Sequence, residues 1–197
     1  MPALPSRLQI KLFVANPKSI DNSVVSALFQ RWIQDKTLEG QLIDVADYRH
    51  VFQGPAVVLI GFDADYAIDN SGGRLGLLFT RKHSPEAHFK TQLRSSLRLA
   101  LAAAQLLETE ASLNPKPRFS AGEIEVRFPD RLQFPNTPET FAAVKDDLRS
   151  VFTEVYASDS VEIAPVEQDA RYLFSVRVQS EAAFRISELA QYLQTSV

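Results

Sequence analysis

The sequence predicts an α+β fold in which largely antiparallel strands pack against helices. Three observations predict it. Runs that alternate apolar and polar side chains, the period of a strand, are interleaved with stripes at the period of a helix. Runs of strands follow one another and then return through helices. The order also recurs: a first half reading βαβββα is followed by a second half reading βαββα. The recurrence is one of element order, without a shared motif.

In the first half, residues 7–15 alternate, with Leu8, Ile10, Leu12 and Val14 on one face and Gln9, Lys11 and Phe13 on the other. Asp21 is placed to cap a helix from Asn22, whose stripe is Val24, Val25, Leu28, Phe29, Trp32 and Ile33. Gly40 closes that unit, and residues 41–48 read as a second strand. Residues 56–69 and 74–82 read as the two arms of a hairpin. The alternation pairs Asp69 with Arg74, Ile68 with Leu75, Tyr66 with Leu77 and Ala64 with Phe79. That register puts Asp63, Asp65 and Asp69 on the opposite, solvated face. Residues 85–111 then form a long helix with an apolar stripe through Phe89, Leu93, Leu97, Leu101, Ala104 and Leu107 or Leu106, and with abundant alanine.

In the second half, residues 118–128 form a strand with Ile124, Val126 and Phe128 on one face. Thr137 caps a helix with Pro138 at its first position, and Phe141, Val144, Leu148, Val151, Phe152 and Val155 make its stripe. Residues 160–166 and 171–179 are strands, the latter alternating through Tyr172, Phe174, Val176 and Val178. Ser180 is placed to cap a last helix carrying Phe184, Leu189, Tyr192 and Leu193. The expected organisation is an N-terminal half over 1–113, a linker at 114–117 (Asn-Pro-Lys-Pro) and a C-terminal half over 118–197, either as two units or as one compact domain.

Composition narrows the function. A chain of 197 residues with 45% hydrophobic and 23% charged residues is an ordinary globular one. The net charge of −3 argues against a nucleic-acid binder, which is usually basic. The absence of cysteine excludes disulfides, thiolate nucleophiles and zinc–thiolate or iron–sulfur sites. Residues 1–11 do not read as a signal peptide, and no apolar run reaches the ~20 residues that span a bilayer, so the expected compartment is the cytoplasm.

Candidate chemistry concentrates between Asp44 and Lys82. Asp63, Asp65 and Asp69 offer oxygen ligands to a cation, but extended spacing separates Asp65 from Asp69 by about 13 Å, too far for one ion. The segment also lacks the glycine and distal glutamate of a calcium loop. No metal or cofactor is expected. Asp47, Tyr48 and His50 sit near a strand end before Gly54-Pro55, where acid–base groups are often carried. No nucleophile signature accompanies them. A third set is basic. Arg74, Arg81 and Lys82 adjoin the long helix, along which Lys90, Arg94 and Arg98 recur every four residues. Such a flank suits an anionic ligand or an acidic protein partner, against the ordinary alternative of a solvated helix face. Gly72, Gly73 and Gly76 lie within the hairpin and not between a strand and a helix, the context a phosphate loop requires. Leu132 and Phe134, in a proline-rich loop, are expected to tuck into the core.

The stretches IDVADYRHV, GPAVVLIG, ADYAIDN and GRLGLLFTRK, and more weakly PNTPETFAAV, resemble a family of uncharacterised bacterial proteins. No activity, fold or site residue comes with the resemblance. The residues themselves favour a non-catalytic binding or protein-interaction module using the basic helix flank. The alternative is an enzyme with acid–base chemistry around Asp47, His50 and the hairpin carboxylates.

Overall fold

In a computed structural model, residues 4–51, 54–83, 85–166, 169–181 and 184–195 are described. The chain is an α+β protein. Its elements run β1 (Leu8–Val14), α1 (Asn22–Asp35), β2 (Leu42–Asp47), β3 (Pro55–Gly61), β4 (Ala64–Asp69), β5 (Gly76–Arg81), α2 (Phe89–Thr109), β6 (Phe119–Phe128), α3 (Pro138–Tyr156), β7 (Val161–Pro165), β8 (Phe174–Ser180) and α4 (Ile186–Thr195). The strands form one eight-stranded sheet in the order β2-β3-β4-β5-β1-β6-β8-β7. Every neighbouring pair is antiparallel. Strand β1 lies between β5 of its own half and β6 of the other, so both halves share the sheet.

The helices pack on one face. Leu8, Ile10 and Leu12 of β1, Tyr66 and Ile68 of β4, Leu77 and Phe79 of β5, and Ile124, Val126 and Phe128 of β6 meet the buried stripes of the helices in one continuous core. Those stripes are the expected ones. Val25, Leu28, Phe29 and Trp32 are buried on α1, Phe89 to Leu107 on α2, and Val144 to Val155 on α3. Asp21 caps α1, its carboxylate accepting from the Ser23 amide at 2.8 Å, and the Thr137 hydroxyl accepts from the Thr140 amide at the start of α3. None of the described helices is long and apolar enough to cross a membrane.

Several local expectations are corrected. The first half has one strand more than predicted, because residues 56–69 are not one arm. The chain reverses at Phe62-Asp63, and β3 and β4 pair with each other. The hairpin of β4 and β5 is shifted by two residues from the predicted register: Tyr66 lies opposite Phe79, Ile68 opposite Leu77 and Asp69 opposite Gly76, not Arg74. An even shift keeps every side chain on its predicted face, so Tyr66, Leu77 and Phe79 are buried as expected. The cause is the connection. Ser71–Gly73 forms a 3₁₀ turn in which Gly72 and Gly73 adopt φ of 69° and 71°, a region open to glycine, and Arg74 and Leu75 follow before pairing resumes.

Helix α1 ends at Asp35, with Lys36 in the left-handed region, several residues before Gly40. Ser180 closes β8 instead of capping a helix, and α4 begins at Ile186. Tyr172 lies outside the strand and is exposed, whereas Phe134 is buried against the Phe128 ring at 5.0 Å. Leu132, also expected in the core, is 98% exposed. The 114–117 segment is pinned from the first half: Asn16 donates to the Lys116 carbonyl and accepts from the Arg118 amide.

Candidate functional site

The helix-free face of the sheet is built by the alternate residues of the same strands. Strand pairing sets Leu78, Lys11, Glu125 and Arg177 in one row, and Thr80, Gln9, Arg127 and Ser175 in the next. Short-range alternation assigns Lys11 and Phe13 to this face, yet neither is solvated. Lys11 is 0% and Phe13 4% exposed. The turn at Ser71–Gly73 folds over them. Lys11 donates to Asp69 at 2.7 Å and to the Ser71 carbonyl at 3.0 Å. Gly76 permits that approach, since a Cβ there would stand 3.1 Å from Lys11 Cε and 2.5 Å from the Leu12 carbonyl oxygen. Burial pushes the Lys11 ammonium below its usual range, with Asp69 pulling it back up. Asp69, expected on a solvated face, is therefore an interior counter-ion.

Beside this pair lies a cleft of about 580 Å³, bounded by the turn, the ends of β6 and β8, and the Val166 and Tyr172–Leu173 segments. Three guanidiniums line it. Arg74 makes a two-pronged contact with Glu123 at 2.6 and 2.8 Å and lies over the Phe13 ring at 3.7 Å. The contact raises the Arg74 pKa and draws the Glu123 carboxyl below its usual range. Arg127 pairs with Glu125 at 2.6 Å and donates to Ser71. Arg177 is 3.1 Å from the same Glu123, but its buried Nε forms no hydrogen bond. With Lys11 matched to Asp69, Arg74 and Arg177 share one carboxylate. Among the described residues, Lys11, Arg74, Arg127 and Arg177 thus outnumber the carboxylates Asp69, Glu123 and Glu125 by one. Phe13, Tyr172, Val166 and Leu173 supply the apolar lining of the cleft.

The predicted basic flank is assembled differently. Arg94 is engaged by Glu154 of α3 at 2.6–2.9 Å, and Arg98 by Glu39 at 2.8 Å. Lys82 pairs with Asp65 at 2.8 Å. Arg81 turns inward and is buried, and Arg74 belongs to the opposite face. Lys90 is exposed near Asp146 and Asp147 of α3. Nor do the acid–base candidates converge. Asp47 is clamped by Arg49, whose hydrogen bonds hold its carboxyl below the usual range. Tyr48 and His50 are exposed with ring centroids 6.4 Å apart, and neither reaches the cleft. Among the described residues no cluster of three or more His, Asp or Glu is placed to hold a metal ion.

Sequence reasoning missed Lys11, Phe13, Ser71, Arg127, Tyr172 and Arg177 as a group. One signal was available: Glu123, Glu125 and Arg127 alternate on β6, which places three charges on a face that a one-sided sheet leaves to water. Comparison with protein-family models, with curated proteins and with solved structures finds no match to the chain.

Proposed function

We propose that the chain is a non-catalytic binding module of the bacterial cytoplasm, belonging to the uncharacterised family it resembles, and that it takes a small anionic ligand with an apolar body. The observation that carries this reading is the sharing of Glu123 by Arg74 and Arg177 in a walled cleft. The unmatched positive charge favours an anion, and the aromatic and aliphatic lining favours a ligand with more than a charged head. The helix flank gives less support, because Arg94 and Arg98 already spend their charge on Glu154 and Glu39. The enzyme reading is weaker too. Among the described residues, the cleft lining contains serines but no histidine to activate them.

Native mass spectrometry of protein isolated from its own host tests the proposal. Wild type should carry an anionic small molecule that Arg177→Gln loses while keeping its circular dichroism spectrum. The same adduct on both chains, or none on either, would overturn the assignment to the cleft.

A further inference from the structure

Within the cleft, Arg74 and Arg177 have different groups left to offer a ligand. The end of the Arg74 guanidinium is held by Glu123, with Nη1 and Nη2 donating to the two carboxylate oxygens at 2.6 and 2.8 Å. One flat face lies over the Phe13 ring, 3.7 Å from its centroid, and Phe13 is 4% exposed beneath it. The Arg74 side chain is nevertheless 45% exposed and lines the cleft. With its end held and one face covered, the largest surface it has left is the second flat face. That face carries no donor, because the five N–H groups of a guanidinium lie in its plane. It is a flat and weakly hydrated cationic surface, which takes an aromatic ring in stacked contact.

The charge of a ligand must then be met by another residue. Arg177 stands opposite Glu125 on the neighbouring strand and lines the same cleft. Its buried Nε lies 3.1 Å from Glu123 but forms no hydrogen bond. An arginine binds a carboxylate best through two parallel N–H donors, and Glu123 already has that contact with Arg74. Both arginines flank this one carboxylate, so the stacking face and the under-used guanidinium are neighbours. The exposed ring of Tyr172 adds aromatic surface to the lining. Among the described residues the excess of one cation matches a ligand with a single negative charge. A phosphate monoester would bring about −1.5 to −2.

We infer, on the basis of the binding reading above, that the ligand of the cleft is an aromatic carboxylate, its ring stacked on the free face of Arg74 and its carboxylate held by Arg177. Arg74 distinguishes an aromatic acid from an aliphatic one, and Arg177 selects for charge.

Isothermal titration calorimetry of the full chain at pH 7 tests the inference. Benzoate and 2-naphthoate are compared with cyclohexanecarboxylate and decahydro-2-naphthoate, which keep the charge and ring skeleton but have no π face. The saturated acids are the more lipophilic, so burial alone would favour them. At least one aromatic acid should bind saturably, and about fivefold or more tighter than its saturated counterpart, as a cation–ring contact requires. Phenyl phosphate should bind no tighter than benzoate. Arg74→Lys keeps the charge and removes the flat face, so it should bring the ratio of aromatic to saturated affinity to about one. Arg177→Gln should weaken both kinds of acid by about tenfold or more and leave their ratio as in wild type. Equal binding of aromatic and saturated acids to wild type, an unchanged ratio in Arg74→Lys, or tighter binding of phenyl phosphate would overturn the aromatic carboxylate while leaving an anion site in place. Binding of none of the acids to wild type, or undiminished binding to Arg177→Gln, would overturn the anion site and this inference with it.

Discussion

Lys11 shows where local sequence reasoning stops. Alternation in residues 7–15 assigns it to the face opposite Leu8 and Ile10, but its cover is a turn 60 residues away, and its partner Asp69 is 58 residues away. Such a pair is stabilising only while both members are present. Lys11→Ala should lower the unfolding free energy by about 3 kcal/mol in a urea titration, because it leaves Asp69 buried beside Ser71 with only the Arg127 guanidinium, 3.8 Å away, as counter-ion. The double variant Lys11→Met, Asp69→Leu should lie within about 1 kcal/mol of wild type. Losses that simply add would mean the two side chains do not act as a unit.

Tyr66 supplies a test in alkali. Its folded pKa is raised by burial to about 12, from an ordinary value of 10.0. The unfolded chain therefore loses this proton first. The contribution to stability is complete below pH 10 and disappears as pH rises toward 12. Its slope is at most about 1.4 kcal/mol per pH unit. Lys11, pushed down by burial, acts in the opposite sense and its effect cancels when wild type is compared with Tyr66→Phe, whereas Arg81, also pushed down by burial, is coupled to the phenol and titrates with it. The variant should lose stability less steeply than wild type between pH 10 and 12. Parallel curves would contradict a buried phenol.

At the level of elements, the legible parts were those whose information is local and repeated. The α2 stripe, the caps at Asp21 and Thr137, and the faces of β4 and β5 follow from spacing alone. Boundaries and registers were less legible. The break between β3 and β4 falls inside a run whose residues all suit a strand, and only the pairing partner marks the turn at Phe62-Asp63. The two-residue shift of the β4–β5 hairpin depends on the geometry of Ser71–Gly73, which side-chain alternation does not encode. The cleft was less legible still, since its arginines come from three segments that only the sheet order brings together. Helix α2 separates packing from surface charge within one turn. Leu97 is fully buried and Arg98 holds an exposed contact to Glu39. Leu97→Ala should cost about 2–5 kcal/mol and Arg98→Ala no more than about 1 kcal/mol, read from denaturant midpoints. Equal losses would place the helix in a different phase.

Across the whole molecule, the position of β1 is the decisive feature. It pairs with β5 on one side and β6 on the other, while α2 packs against α3 and α4. The element order of the two halves suggests a seam at 114–117, but hydrogen bonds from Asn16 to Lys116 and Arg118 stitch that segment to the first half. A continuous sheet and a shared core have little to gain from unfolding in parts, because unfolding the second half would strip β1 of β6 and α2 of α3 and α4. The single tryptophan, Trp32 in α1, reports on the first half. Val178, fully buried on β8, lies in the second, and Val178→Ala should destabilise by about 2 kcal/mol. If the halves unfold together, that substitution should move the Trp32 fluorescence midpoint in urea as far as it moves the far-ultraviolet circular dichroism midpoint. If Trp32 keeps its wild-type midpoint while the circular dichroism curve separates into two steps, the halves are independent domains that happen to share a sheet.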